Sequence, residues 1–122
     1  LRISSHFHFT GFLKGKEVDK MFAMSDVYVM PSVSEPFGIS PLEALKSNVP
    51  VIVSKQSGVT EVLKHAIKID FWDTDAMANA IYALTHFKGL SKLFVREGKQ
   101  EMENLTWESQ AGKIKELYQQ FI

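Results

Sequence analysis

The sequence contains no cysteine, which excludes disulfides, thiolate metal sites and cysteine nucleophiles. That absence permits a reducing setting, and a cytoplasmic location is the expectation. Neither charge is in excess: 14 Lys and Arg stand against 14 Asp and Glu, a formal net charge of zero. Phosphate-backbone binding usually leaves a basic footprint, so nucleic acid is not expected as a partner. No apolar run approaches the ~20 residues that a membrane helix needs, so no transmembrane segment is expected. The longest, Val49 to Val53, is itself broken by Pro50. No signal-peptide pattern opens the chain, which starts at Leu1 inside an ordinary amphipathic pattern and reads as a piece of something longer. What is present is 122 residues, 45% hydrophobic and 23% charged. That is one domain, residues 1–122, able to bury a core without a disulfide or metal staple.

Short β-branched runs alternate with helical patterns, which predicts an α/β domain with a parallel sheet flanked by helices. Strands are expected at His6–Thr10, Val27–Met30, Val49–Ser54 and Ala66–Asp70, the third buried on both faces. Helices are expected at Glu17–Ser25, where Val18, Met21 and Phe22 form a core stripe, at Pro41–Ser47 and at Val59–Lys64. A longer one starts near Asp73, buries Met77, Ile81 and Leu84, and ends at Gly89. Another spans Ser91–Met102, and a last, capped by Thr106, carries Ala111, Ile114, Tyr118 and Phe121 on one side.

Chemistry concentrates between Pro31 and Ala44, where the chain leaves the C-terminal end of a strand and enters a helix. Ligands of open α/β sheets bind at such strand ends. Ser40, Pro41 and Glu43 read as a capping box around the helix start, whose free N–H groups suit an anion. Gly38 lets a ligand approach the backbone. Glu35 and Glu43, eight positions apart, flank the turn and can both reach one small ligand. Carboxylates bind sugar hydroxyls through strong charged acceptors, so a donor with a ribose, phosphates and a hexose would use all of these features. The plainer alternative is that Glu43 caps its helix and Glu35 is a solvated loop acid.

The stretch Ser32–Ala44 resembles the E-x7-E signature of retaining glycosyltransferases of the GT-B fold, the group that includes glycogen and sucrose synthases. Phe9–Phe12 is similar to that family's F-x-G-x turn, Asp26–Ser32 to its strand ending in Pro-Ser, and Val49–Glu61 to its segment ending in Gly-Gly-x-Glu. The resemblance implies a Rossmann-like, partial C-terminal half of a GT-B fold that binds a nucleotide sugar, with a glycogen-synthase-like enzyme as the narrower expectation. It implies that Glu35 acts at the catalytic centre on hydroxyls of the transferred sugar and that Glu43 holds the ribose. Phe37, Gly38 and Ile39 would form a backbone strip along sugar and diphosphate, and Gly11 and Phe12 would lie near the base. Gly58 matches one of two adjacent glycines, the other being Ser57 here. The parent enzyme would move a hexose to a saccharide or polysaccharide acceptor held by a further, N-terminal domain, while this chain alone would be inactive. The nucleotide sugar is a substrate, and no cofactor or metal is implied. A nucleotide-sugar epimerase and a non-catalytic binding or assembly module are the alternatives.

The remaining motifs read as structure. His6 and His8 share a strand face without further ligands at a metal-site spacing, Met21, Met24 and Met30 fill core, and Trp72 and Trp107 pack at helix starts. Lys14, Lys16 and Lys55 are surface lysines. If the parent sheet is doubly wound, a strand at His6–Thr10 would lack its neighbours and pair with another strand or a second copy, giving a dimer through an exposed edge.

Overall fold

The β-branched runs beyond residue 26 pair as expected in a computed structural model that describes residues 3–122. Strands β1 (Tyr28–Met30), β2 (Val51–Ser54) and β3 (Ile67–Ile69) form one parallel sheet in the order β1-β2-β3. Met30 lies opposite Val53, and Ser54 opposite Ile69, so all three strands end on the same side. Every residue of β2 is buried. Val51 and Val53 face one core cluster with Phe22, Leu45, Val59 and Leu63; Ile52 faces the other with Ile69, Ala80 and Leu84. That two-sided burial is what a continuous apolar strand requires.

The helices are α1 (Lys16–Ala23), α2 (Ser40–Lys46), α3 (Thr74–His86), α4 (Lys88–Glu103) and α5 (Trp107–Gln119). Asp73 caps α3 by accepting from the Ala76 N–H at 2.9 Å, and Thr106 caps α5 by accepting from the Ser109 N–H at 3.1 Å. Helix α4 lies against α2 through Gly98, where an added Cβ would meet the Leu45 methyls at 3.0 and 3.1 Å.

Glu101 fastens the far end of α4 to the turn before β3. One oxygen accepts from the N–H groups of Lys64 (2.8 Å) and His65 (3.1 Å), the other meets His65 Nδ1 at 2.7 Å. Burial pushes the carboxyl pKa up, but the hydrogen bonds from His65 and Lys64 outweigh it and hold it below the usual value. A lowered folded-state pKa stabilises the fold above the unfolded value, about pH 4.3, and that contribution is lost as pH falls further. Glu101→Gln should therefore cost about 1.5–3 kcal/mol at pH 7. The gap to the parent chain should close below pH 4 in denaturant titrations; a gap independent of pH would contradict this.

Several expectations are corrected. His6–Thr10 is not a strand: Ser4–His6 makes a short 3-10 turn, Phe7 is extended, and residues 7–10 belong to no strand. No described strand lies beside the segment, so its backbone joins no ladder within the chain. Val59–Lys64 is reduced to a 3-10 turn at Gly58–Glu61. Gly89 does not end a helix; Phe87, at φ −100° and ψ 85°, makes the break, and Gly89 sits in the first turn of α4. Met21, Met24, Trp72 and Trp107 are exposed rather than packed, leaving Met30 as the one of those methionines in the core. The apolar stripe of α5 has formed but is uncovered, with Ile114, Tyr118 and Phe121 all exposed. The chain presents 9113 Å² to solvent, against about 6,600 Å² for a compact monomer of its mass. Phe7, Phe9, Phe12 and the α5 stripe make up much of the apolar surplus.

Candidate functional site

Because the three strands run in parallel, the loops leaving them emerge together: residues 31–39 after β1, 55–58 after β2 and 70–73 after β3. The first two loops are laced together. Ser54, the polar end of an otherwise apolar strand, donates from Oγ to the Ser32 carbonyl at 2.6 Å. Its proton is thereby used, so the 3.0 Å contact between Ser54 and Ser57 hydroxyls has Ser57 as donor. Both serines are buried. Farther along, Glu35 and Ser57 form an isolated parallel bridge, the Gly58 N–H donates to the Glu35 carbonyl at 2.9 Å and the Val59 N–H to the Phe37 carbonyl at 2.8 Å. Gly58 is required there, since any Cβ would collide with the Pro36 carbonyl oxygen.

This lacing presents residues 35–40. Gly38 has φ +88°, a conformation other residues rarely hold, and a Cβ on it would press on Met30 Cε at 2.9 Å and Glu35 Cγ at 3.2 Å. Among the described residues, the N–H groups of Gly38, Ile39 and Ser40 donate to no protein group. The strip is backed by Tyr28 and Ser40, whose hydroxyls meet at 2.7 Å, with Ser40 also donating to Met30 Sδ at 3.9 Å.

The expected capping box is not formed. Ser40 turns its hydroxyl to Tyr28, and Ile39, already at helical angles (φ −76°, ψ −32°), takes the place before α2 and accepts from the Leu42 and Glu43 N–H groups. Glu43 therefore caps nothing. Its carboxylate is exposed and that of Glu35 half-buried, and among the described residues neither has a hydrogen-bond or ion-pair partner. Two unpartnered carboxylates thus flank a strip of unpartnered amides.

The cations are placed differently. Lys55 leaves β2 toward Asp70 beyond β3, at 2.8 Å. That hydrogen bond, against the opposing effect of desolvation and with help from Gln56, holds the Asp70 carboxyl below the usual range. Lys14 lies 5.3 Å from the centre of the Phe12 ring. Gly11 and Phe12 belong to a segment that makes no hydrogen bond to the 31–39 loop; Gly11 has φ +69° and Phe12 is exposed. No cluster of His, Asp and Glu able to hold a metal occurs among the described residues. Sequence reasoning missed Ser54, Ser57 and Tyr28. The signal for the first was a polar residue closing the most apolar strand.

The glycosyl transferases group 1 family model matches residues 1–101. The chain belongs to that family. An uncharacterized glycosyltransferase of Methanocaldococcus jannaschii is 32% identical to this group 1 chain over 115 residues, covering 90% of it and 29% of the relative. A sulfoquinovosyl transferase of Arabidopsis thaliana is 28% identical over 113 residues, covering 88% of the chain and 22% of the relative. Among solved structures, a sucrose-phosphate synthase from Thermosynechococcus elongatus superimposes with a TM-score of 0.78 at 26% identity, over 93% of this chain and 30% of that one. The group 1 chain thus has the α/β architecture of the GT-B glycosyltransferases and spans less than a third of these relatives.

Proposed function

We propose that this chain binds the nucleotide diphosphate sugar of a retaining hexosyltransferase, which passes the hexose to a saccharide acceptor. The observation that carries the reading is the pair of unpartnered carboxylates, Glu35 and Glu43, on either side of the free Gly38 and Ile39 amides. Each group then has one partner in the donor. Glu35 accepts hydrogen bonds from hydroxyls of the hexose, and Glu43 from the ribose. The amides face the diphosphate, where an N–H strip stabilises negative charge that grows as the leaving group departs. The exposed Phe12 ring offers a stacking face to the base. Gly58 acts behind the site by letting its loop meet Pro36. The acceptor would be held outside this chain, which alone should transfer no sugar.

Calorimetry on single substitutions separates the two carboxylates. Glu43→Ala should weaken nucleoside diphosphate and nucleotide sugar alike, by about tenfold or more, as loss of a hydrogen bond to a charged group implies. Glu35→Ala should weaken the nucleotide sugar and leave the bare nucleoside diphosphate unchanged. Equal effects of both substitutions on both ligands would contradict the assigned roles.

A further inference from the structure

A pocket with a basic rim lies at the end of the sheet opposite the loops that leave the strands. Asn48 sits between α2 and the start of β2, so it marks the end where the strands begin. Together with Ser91, Lys92, Val95, Arg96 and Lys99 of α4 it lines a pocket of about 310 Å³. Lys92, Arg96 and Lys99 recur at helical spacing, which brings their charges to one face. Val95 is buried and forms the apolar floor.

The hydrogen-bonding state of this lining is one-sided. Lys99 Nζ donates to Asn48 Oδ1 at 2.6 Å, which leaves the Asn48 amide nitrogen to donate. Among the described residues, Ser91 Oγ and Lys92 Nζ have no hydrogen-bond or ion-pair partner. Arg96 gives Nε and one Nη to the Glu97 carboxylate at 2.8 and 2.7 Å and keeps its other Nη. Glu97 does not line the pocket, and no carboxylate does. Five side chains that can donate therefore line the pocket, three of them cationic, and the one carboxylate that compensates any of them, Glu97 on Arg96, lies outside the lining.

We infer that this pocket is an anion site that binds a phosphate group, carried as the free ion or as a small phosphate monoester. A phosphate near pH 7 carries between one and two negative charges and three strong acceptor oxygens, which suits the charges of Lys92 and Lys99, the remaining Arg96 Nη and two neutral donors. A carboxylate would leave part of that charge and several donors unmet. The site is independent of the proposed donor site, since the two lie at opposite ends of the strands.

The test is an amide NMR titration of the chain with inorganic phosphate and, separately, with glycerol 3-phosphate, at ionic strength held constant with sodium chloride. Saturable shifts at Asn48, Ser91, Lys92 and Lys99 with either ligand support the site, and the tighter ligand tells whether the free ion or the ester is preferred. Lys92→Gln with Arg96→Gln should raise the dissociation constant at least about tenfold, each loss being that of a charge-assisted bond. Lys113→Gln with Lys115→Gln on α5 should change nothing. If the α4 double variant does not fold, Lys92→Glu alone serves in its place. Shifts that fail to saturate with both ligands, or equal binding by the α4 and α5 variants, would overturn the inference.

Discussion

Gly58→Ala should unlace the loops that follow β1 and β2. The new Cβ would collide with the Pro36 carbonyl oxygen, and its next neighbours are also backbone, the Pro36 carbon and Phe37 Cα. A side-chain neighbour could rotate away, but here the loops themselves must separate. Separation strains or breaks the bonds from the Gly58 and Val59 N–H groups to the Glu35 and Phe37 carbonyls. Overpacking of this kind costs about 1–3 kcal/mol, and each hydrogen bond lost adds about 1 kcal/mol. Chemical denaturation should show the loss, and amide exchange at Gly58 and Val59 should accelerate more than in β2. Unchanged stability and exchange would mean that the loops are not held as described.

Leu45→Ala should have the largest effect on stability. Leu45 is fully buried in the core cluster that lies between α2 and the sheet, and its methyls also rest on Gly98 of α4. Truncating it removes apolar contacts to both sides and leaves a cavity, a loss of about 2–5 kcal/mol. Domains of this kind have a total stability of about 5–15 kcal/mol, so the variant should be partly unfolded or close to it. Helix α2 also carries Glu43, and loosening its seat should weaken ligand binding in the fraction that stays folded. A denaturation midpoint within error of the parent would contradict the packing of α2 against α4.

The buried strands were legible in the sequence because β-branched runs bounded by turn residues leave little choice, as at Val51–Ser54. The cap at Thr106 was legible too, since a short acceptor before an apolar repeat has a local physical role, and so was the helix start near Asp73, though its capping bond to the Ala76 N–H was not foreseen. What local pattern could not supply was tertiary context. His6–Thr10 has the composition of a strand, but a strand exists only beside another. The α5 stripe has the period of a buried face without anything over it. At the site, the order Glu35, Gly38, Glu43 was plain, whereas the capping box failed because Tyr28 competes for the Ser40 hydroxyl from a strand twelve residues away. The Ser54–Ser57 link was likewise invisible until two loops were brought together.

The most direct test of the account is to titrate the folded chain with UDP-, ADP- and GDP-sugars and map amide shifts, with Glu43→Ala as control. Saturable shifts centred on the amides of Gly38, Ile39 and Ser40 are expected with one of these nucleotides, and are expected to be lost in Glu43→Ala. Saturable binding whose shifts lie elsewhere and survive Glu43→Ala would contradict it, as would no shift from a well-folded sample with any of the three.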